Sequence, residues 1–173
     1  MNASLRANCC DLLPAPMEQA ALVESMLAAH LCELGASTPY PYLPLYWSES
    51  DRLPFLIASG SSVVGFALVR VIQASVFEFA ELYVRPEARR KGVGHCAATS
   101  LLSSLPGSWQ LCVNQANEVG LKFWRATLPR AAVEASSATP ERLVFKVSSL
   151  PSELPANPSV KGTGLRPAPY VER

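Results

Sequence analysis

The chain has 173 residues, 49% of them hydrophobic, and a formal net charge of +1 at pH 7. That length suits one domain with a sizeable core, and the near-neutral balance excludes a broad nucleic-acid face, which needs a marked basic surplus. No apolar run approaches the ~20 residues of a membrane helix, and Met1–Leu13 lacks the charged-then-apolar order of a secretory signal, so a cytoplasmic protein is expected.

Residues 5–13 read as a short first strand, ended by Pro14 and Pro16. From Met17 to Leu34 the apolar Val23, Leu27, Leu31 and Leu34 recur at helical spacing, and Gly35 sits where a C-cap belongs. His30 on this helix reads as a half-buried helix histidine. Residues 36–52 are irregular and carry Tyr40, Tyr42, Tyr46 and Trp47 between prolines. Such a loop is either a lid over a substrate or a segment fixed to the core by its rings.

Two strands follow, Leu53–Ala58 and Ser62–Ile72, joined at Ser59-Gly60-Ser61 as a hairpin. The second is apolar at both parities, as a strand covered on both faces would be. A third strand spans Val76–Val84. A basic, glycine-containing stretch then opens a helix from about Gly92 to Leu105, with Val93, Ala97, Leu101 and Leu105 as its buried stripe. Trp109–Val113 reads as a strand, Asn117–Thr127 as a helix stopped by Pro129, and Leu143–Val147 as a last strand. Residues 1–149 thus form one α/β domain, antiparallel in its first part, with a strand-turn-helix unit in its middle. Residues 150–173 hold five prolines after position 150 and read as an extended tail.

The five cysteines, at 9, 10, 32, 96 and 112, are odd in number and irregular in spacing, which argues against a disulfide framework. No Cys/His spacing fits zinc, so no metal is expected. Reduced, mostly buried thiols are the expectation.

Chemistry concentrates at Arg85–Gly94. Helix N-termini leave N–H groups unpaired and carry partial positive charge. Gly92 and Gly94 let an anion approach that backbone closely, and Arg89, Arg90 and Lys91 add full charges. The spacing is neither that of a P-loop nor that of a dinucleotide fingerprint.

Val84-Arg85-Pro86 followed by Arg89-Arg90-Lys91-Gly92-Val93-Gly94 resembles the acetyl-CoA loop of the GNAT superfamily of N-acetyltransferases, Arg/Gln-x-x-Gly-x-Gly/Ala after a strand and Val-x-Pro. Asn117–Trp124 is similar to the family's second signature, Asn-x-x-Ala-x-x-Phe-Tyr, with Gly for Ala and Trp for Tyr. The resemblance spans roughly residues 5–148. Pro54–Ile57, Gly65–Val69, Glu81–Val84 and Pro106–Trp109 further resemble a small, poorly characterised bacterial group of the superfamily.

The resemblance implies a mixed, mostly antiparallel sheet, splayed between the strands of Val84 and Val113 and flanked by helices. It implies acetyl-CoA as co-substrate. The backbone of Leu82, Tyr83 and Val84 would pair with the pantetheine arm. Arg89, Arg90, Lys91, Gly92, Val93 and Gly94 would hold the pyrophosphate, Asn117 would touch the pantetheine or adenosine end, and Phe123 would pack nearby.

Direct transfer needs a neutral amine and a base. The candidates are Glu78 and Glu81. Three residues apart on a regular strand, they would face opposite sides unless a bulge intervenes. Glu81 matches the group resembled and is favoured; either could instead pair with Arg70 or Arg85. Trp124 stands where the family carries an acidic tyrosine, and an indole is no acid. The thiolate then leaves unassisted, or with water, Tyr40, Tyr42 or Tyr46. The rings of Tyr42, Tyr46 and Trp47 suit a small amine acceptor. A protein N-terminus or lysine as acceptor, a non-catalytic acyl-CoA sensor and a homodimer are the alternatives.

Overall fold

The computed structural model describes residues 10–36 and 39–149. Seven strands among them form one sheet: β1 (Asp11–Pro14), β2 (Arg52–Ser59), β3 (Ser62–Gln73), β4 (Val76–Val84), β5 (Gly107–Asn114), β6 (Ala132–Ala135) and β7 (Arg142–Ser149). Their spatial order is β1-β2-β3-β4-β5-β7-β6. Every pairing is antiparallel except β4 with β5. This is the mixed, mostly antiparallel α/β sheet expected from the sequence.

Three helices cover it: α1 (Ala20–Glu33), α2 (Val93–Ser104) and α3 (Glu118–Thr127). Alternation along the strands assigns the faces. Ala67, Val69, Phe77, Phe79, Trp109, Leu111 and Phe145 pack with Ala98, Leu101 and Leu102 of α2 and with Leu121 and Trp124 of α3. Leu56, Phe66, Leu68 and Tyr83 pack under Val23, Met26 and Leu27 of α1 and under Leu43 and Tyr46 of the aromatic segment. β3 therefore buries both parities, and Phe66 through Val69 are wholly enclosed.

Several boundaries differ from the sequence reading. The first strand is only Asp11–Pro14; residues 5–9 lie outside those described, as does the tail from 150. α1 is preceded by a 3-10 turn at Met17–Gln19. Its stripe is Val23, Met26 and Leu27, while Leu34 is 46% exposed, because the helix stops at Glu33 and Gly35 turns left-handed. Leu105 lies just beyond α2 and is only half-buried. β6 has no counterpart in the reading; all four of its residues are exposed on the sheet edge, so it shows no alternation.

The aromatic segment contains a 3-10 turn at Leu43–Trp47 and is fixed to the core by its rings. Trp47 Nε1–H donates to the Ala15 carbonyl at 2.9 Å, and Leu43 and Tyr46 are buried. The expectation of mostly buried thiols fails: among the described cysteines Cys10 is buried and Cys96 half-buried, but Cys32 and Cys112 are exposed.

Candidate active site

β4 and β5 run parallel but stay paired only from Val76–Phe79 against Ser108–Leu111. Past that point they separate, and the β5-facing edge of Ala80–Val84 has no strand partner among the described residues. An extended chain laid into this gap would find main-chain N–H and C=O groups without a strand partner, of which the Val84 carbonyl already accepts from Arg89 Nε.

A bulge marks the start of the gap. Val69 pairs with Phe79 and Leu68 with Glu81, so Ala80 is an extra residue in β4. Glu78 opposes Arg70 and Glu81 opposes Leu68, two positions apart on β3. Both carboxylates consequently lie on the α1 face, where a regular strand would have put them on opposite faces.

At the far end of β4 the chain enters a 3-10 turn, Pro86–Ala88, and then the basic stretch. Arg90 takes φ +63° and Gly92 φ +80°. Two left-handed residues within three positions turn the chain sharply from the end of β4 into α2. Gly92 is the N-cap of α2, and no side chain caps that helix. A Cβ on Gly94 would stand 3.2 Å from the Phe123 ring, tighter than ordinary contact, so the bare glycine lets α3 close on the start of α2.

The three cations behave differently. Arg89 stays exposed but turns toward α1: Nη2 binds the Glu33 carboxylate at 2.7 and 3.0 Å, Nε donates to the Val84 carbonyl, and the guanidinium lies 5.3 Å from the centre of the Tyr83 ring. Lys91 donates to the Glu87 carbonyl. Arg90 is exposed and makes no ion pair among the described residues.

On the α1 face the carboxylates have separate partners. Arg70 Nη1 holds Glu78 at 3.0 Å. His30 of α1 meets Glu81, Nε2 to Oε2, at 3.1 Å, with side chains 15% and 18% exposed. The Tyr40 phenol lies near Glu81, and the Tyr46 phenol near Tyr40, Arg52 and Arg70. Burial pushes the Tyr46 phenol up to about 12. It pushes Tyr40 higher still, aided by the nearby Tyr46 and Glu81. The Tyr46 hydroxyl is buried and reaches no partner in hydrogen-bond geometry, although Tyr40, Arg52 and Arg70 are near, and Arg70 Nε is likewise buried and unpaired. Tyr42 is 54% exposed, stacked edge-on against Tyr40 with Arg52 5.9 Å from its ring centre.

The sequence model of the acetyltransferase (GNAT) family matches residues 21–127, more than half of the chain. The chain belongs to the GNAT acetyltransferase family. It is an acyltransferase with acetyl-CoA as its co-substrate. Among solved structures, an acetyltransferase from Thermus thermophilus superposes with a TM-score of 0.67 at 17% identity, covering 80% of this chain and 96% of its own. The PaiA N-acetyltransferase of Thermoplasma acidophilum, solved with coenzyme A, gives 0.59 at 17% identity over 80% and 98%. A GNAT-family acetyltransferase from Bacillus cereus gives 0.63 at 16% over 82% and 98%. At such identities the likeness is one of fold. No curated protein matches the sequence.

Within this GNAT domain, Asn117 caps α3: its Oδ1 accepts from Gly120 N–H at 2.8 Å. A Cβ at position 120 would stand 2.6 Å from Asn117 Nδ2, which accounts for glycine where the motif carries alanine. Phe123 lies against Gly94 and Trp124. Trp124 is a core residue, 8% exposed and stacked on Phe79 at 5.1 Å.

The sequence reading passed over His30 as a contact of Glu81. The available signal was its place seven residues after Val23 and four after Met26, on the buried stripe of α1. A separate groove of about 700 Å³, lined by Val76, Leu102, Trp109, Leu128 and Val147, opens where β4 and β5 begin. The length of β4, about 26 Å at ~3.3 Å per residue, separates it from the glycine loop, so it takes no part in the site.

Proposed function

We propose that this GNAT enzyme transfers the acetyl group of acetyl-CoA directly to the amine of a small molecule in the cytoplasm, with Glu81 as general base. The observation that carries the reading is the Ala80 bulge. It turns Glu81 onto the α1 face at the point where β4 parts from β5. In this reading the free edge at Leu82, Tyr83 and Val84 pairs with the pantetheine arm. Arg89 to Gly94 hold the pyrophosphate, with Phe123 and Asn117 bordering them.

When bound, acetyl-CoA supplies a thioester carbonyl as the electrophile. The amine nitrogen forms the new C–N bond as the C–S electron pair leaves on sulfur, and the amine proton passes to Glu81. Glu78 is the weaker candidate, because the permanent charge of Arg70 stays on it. Trp124 is enclosed in the core, so no dedicated acid is assigned and the thiolate leaves to solvent.

A small acceptor is favoured over a protein surface because the polar cluster is compact and largely enclosed: Tyr46 is 2% exposed and the Glu81 side chain 18%. In this reading the acceptor amine meets Tyr42, Tyr46 and Trp47, displacing or joining Arg52, which lies 5.9 and 5.4 Å from the Tyr42 and Tyr46 ring centres. Thiol release from acetyl-CoA with tyramine, spermidine and glycinamide, beside a lysine peptide, tests the reading. Turnover of the peptide alone would overturn the small-acceptor assignment. Absence of acetyl-CoA binding in calorimetric titration would overturn the site.

A further inference from the structure

We propose that His30 is the positioning residue for Glu81: its Nε2–H holds one carboxylate oxygen and leaves the other for the acceptor amine. The proposal rests on the reading of Glu81 as base. It starts from the helix. His30 continues the stripe of Val23, Met26 and Leu27 that α1 presses onto the sheet, so its ring is enclosed between helix and strands at 15% exposure.

Packing fixes the ring in that layer. It stands edge-on to Phe66 at 6.4 Å and tilted against Tyr83 at 5.3 Å. Phe66 and Tyr83 themselves oppose each other across β3 and β4, two residues along from Leu68 and Glu81. The imidazole is therefore bordered by two buried aromatics as well as by the carboxylate. Nε2 then lies 3.1 Å from Glu81 Oε2. An ionised carboxylate can only accept, so Nε2 carries the proton.

No other side chain among the described residues hydrogen-bonds the Glu81 carboxylate. Oε1 remains available. The other charged or titratable groups around the pair are Glu33 on α1, Arg52 on β2, Arg70 on β3, Glu78 and Tyr83 on β4, Tyr40 and Tyr46 from the aromatic segment, and Arg89 from the glycine loop. Glu78 and Arg70 neutralise each other, as do Glu33 with Arg89 and Arg52 with Glu49. His30 is the group left to orient Glu81.

The two carboxylates are thus held in contrasting ways. Arg70 Nη1 occupies one Glu78 oxygen at 3.0 Å with a charge-assisted hydrogen bond. The single His30 ring N–H gives the Glu81 carboxylate a fixed direction, so its rotamer freedom is lost.

The chain has two histidines, His30 and His95, so long-range 1H–15N correlation spectra of the full-length protein resolve His30 once His95→Asn removes the other. The expected spectrum shows the Nε2–H form of His30, with a shift that changes in Glu81→Gln. The Nδ1–H form, or a shift indifferent to Glu81→Gln, would overturn the proposal without any acceptor being known. With the best amine of the panel, His30→Leu should lower kcat at least ~10-fold while the acetyl-CoA Kd from calorimetry stays within ~2-fold. His30→Gln carries an amide N–H where Nε2 stood and should recover kcat to within about 3-fold of wild type. His30→Leu at wild-type rate with Glu81→Gln inactive, or His30→Gln as slow as His30→Leu, sinks the positioning role alone. Glu81→Gln at wild-type rate sinks the base reading, and this role falls with it.

Discussion

The two halves of the cleft are made of different material. The proposed cofactor side is mostly backbone: an edge at Ala80–Val84 without a strand partner among the described residues, left-handed turns at Arg90 and Gly92, and a bare Gly94 beneath Phe123, with the cations of Arg89, Arg90 and Lys91 beside them. The proposed acceptor side is side chains brought together from distant parts of the chain: His30 from α1, Tyr40 and Tyr46 from the aromatic segment, Arg70 from β3, Glu78 and Glu81 from β4. Backbone devices need only that certain residues lack a side chain, and they tolerate change nearby. A side-chain cluster depends on every member, and each can change the acceptor without disturbing the fold.

That contrast predicts unequal responses to mutation. The largest effect belongs to the acceptor side: Glu81→Gln should lower kcat by roughly 10²–10⁴-fold with acetyl-CoA affinity unchanged by calorimetry. Glu78→Gln should lower kcat less than ~10-fold and cost about 1 kcal/mol of stability by unbalancing partly exposed Arg70. Reversed kinetics for the pair would mean that the bulge serves Glu78. On the proposed cofactor side Gly94→Val should cost about 1–3 kcal/mol of stability by overpacking against Phe123 and, by displacing the loop, weaken acetyl-CoA binding at least ~10-fold. Unchanged affinity would detach the glycine loop from the cofactor.

The same contrast decides what could be read from the sequence. Gly92 and Gly94 follow a strand, a proline and three cations at fixed spacing, so the loop was legible from residues 84–94 alone. The central position of β3 was legible too, since Val63–Val69 is apolar at both parities. The pairing of His30 with Glu81 was not: the two stand 51 residues apart, and nothing local to either names the other. The bulge at Ala80 was equally hidden, because Phe79-Ala80-Glu81 contains no glycine or other sign of an extra residue. Only the register against Leu68 and Val69 reveals it. Edge strand β6 escaped because an exposed strand has no reason to alternate.

A smaller effect tests how tightly the acceptor side is closed. Burial raises the Tyr46 phenol from 10.0 to about 12. The folded state therefore keeps this proton where the unfolded chain has lost it. The sign follows: the contribution is complete below pH 10 and disappears as pH rises through 12. Alkaline unfolding of the wild type should begin in that window, and Tyr46→Phe should shift its midpoint upward. At neutral pH the variant should match or exceed wild-type stability to within about 1 kcal/mol, since the deleted hydroxyl has no hydrogen bond. A loss of several kcal/mol would show that the hydroxyl has a partner.

The smallest effect sits on the cofactor side, at Gly120. Alanine inside a helix is worth about 1 kcal/mol over glycine. Here its Cβ would stand 2.6 Å from Asn117 Nδ2, so the Asn117 side chain must leave its rotamer and its cap on Gly120 N–H. Losing an asparagine cap costs about 1 kcal/mol. The two terms oppose and nearly cancel, so Gly120→Ala should leave the melting temperature within about 2 °C of wild type. The variant is informative because it moves Asn117 without unfolding α3. If Asn117 borders the cofactor, acetyl-CoA affinity should fall several-fold at constant stability. If affinity holds, Asn117 is a helix cap and nothing more, and the cofactor half is backbone throughout.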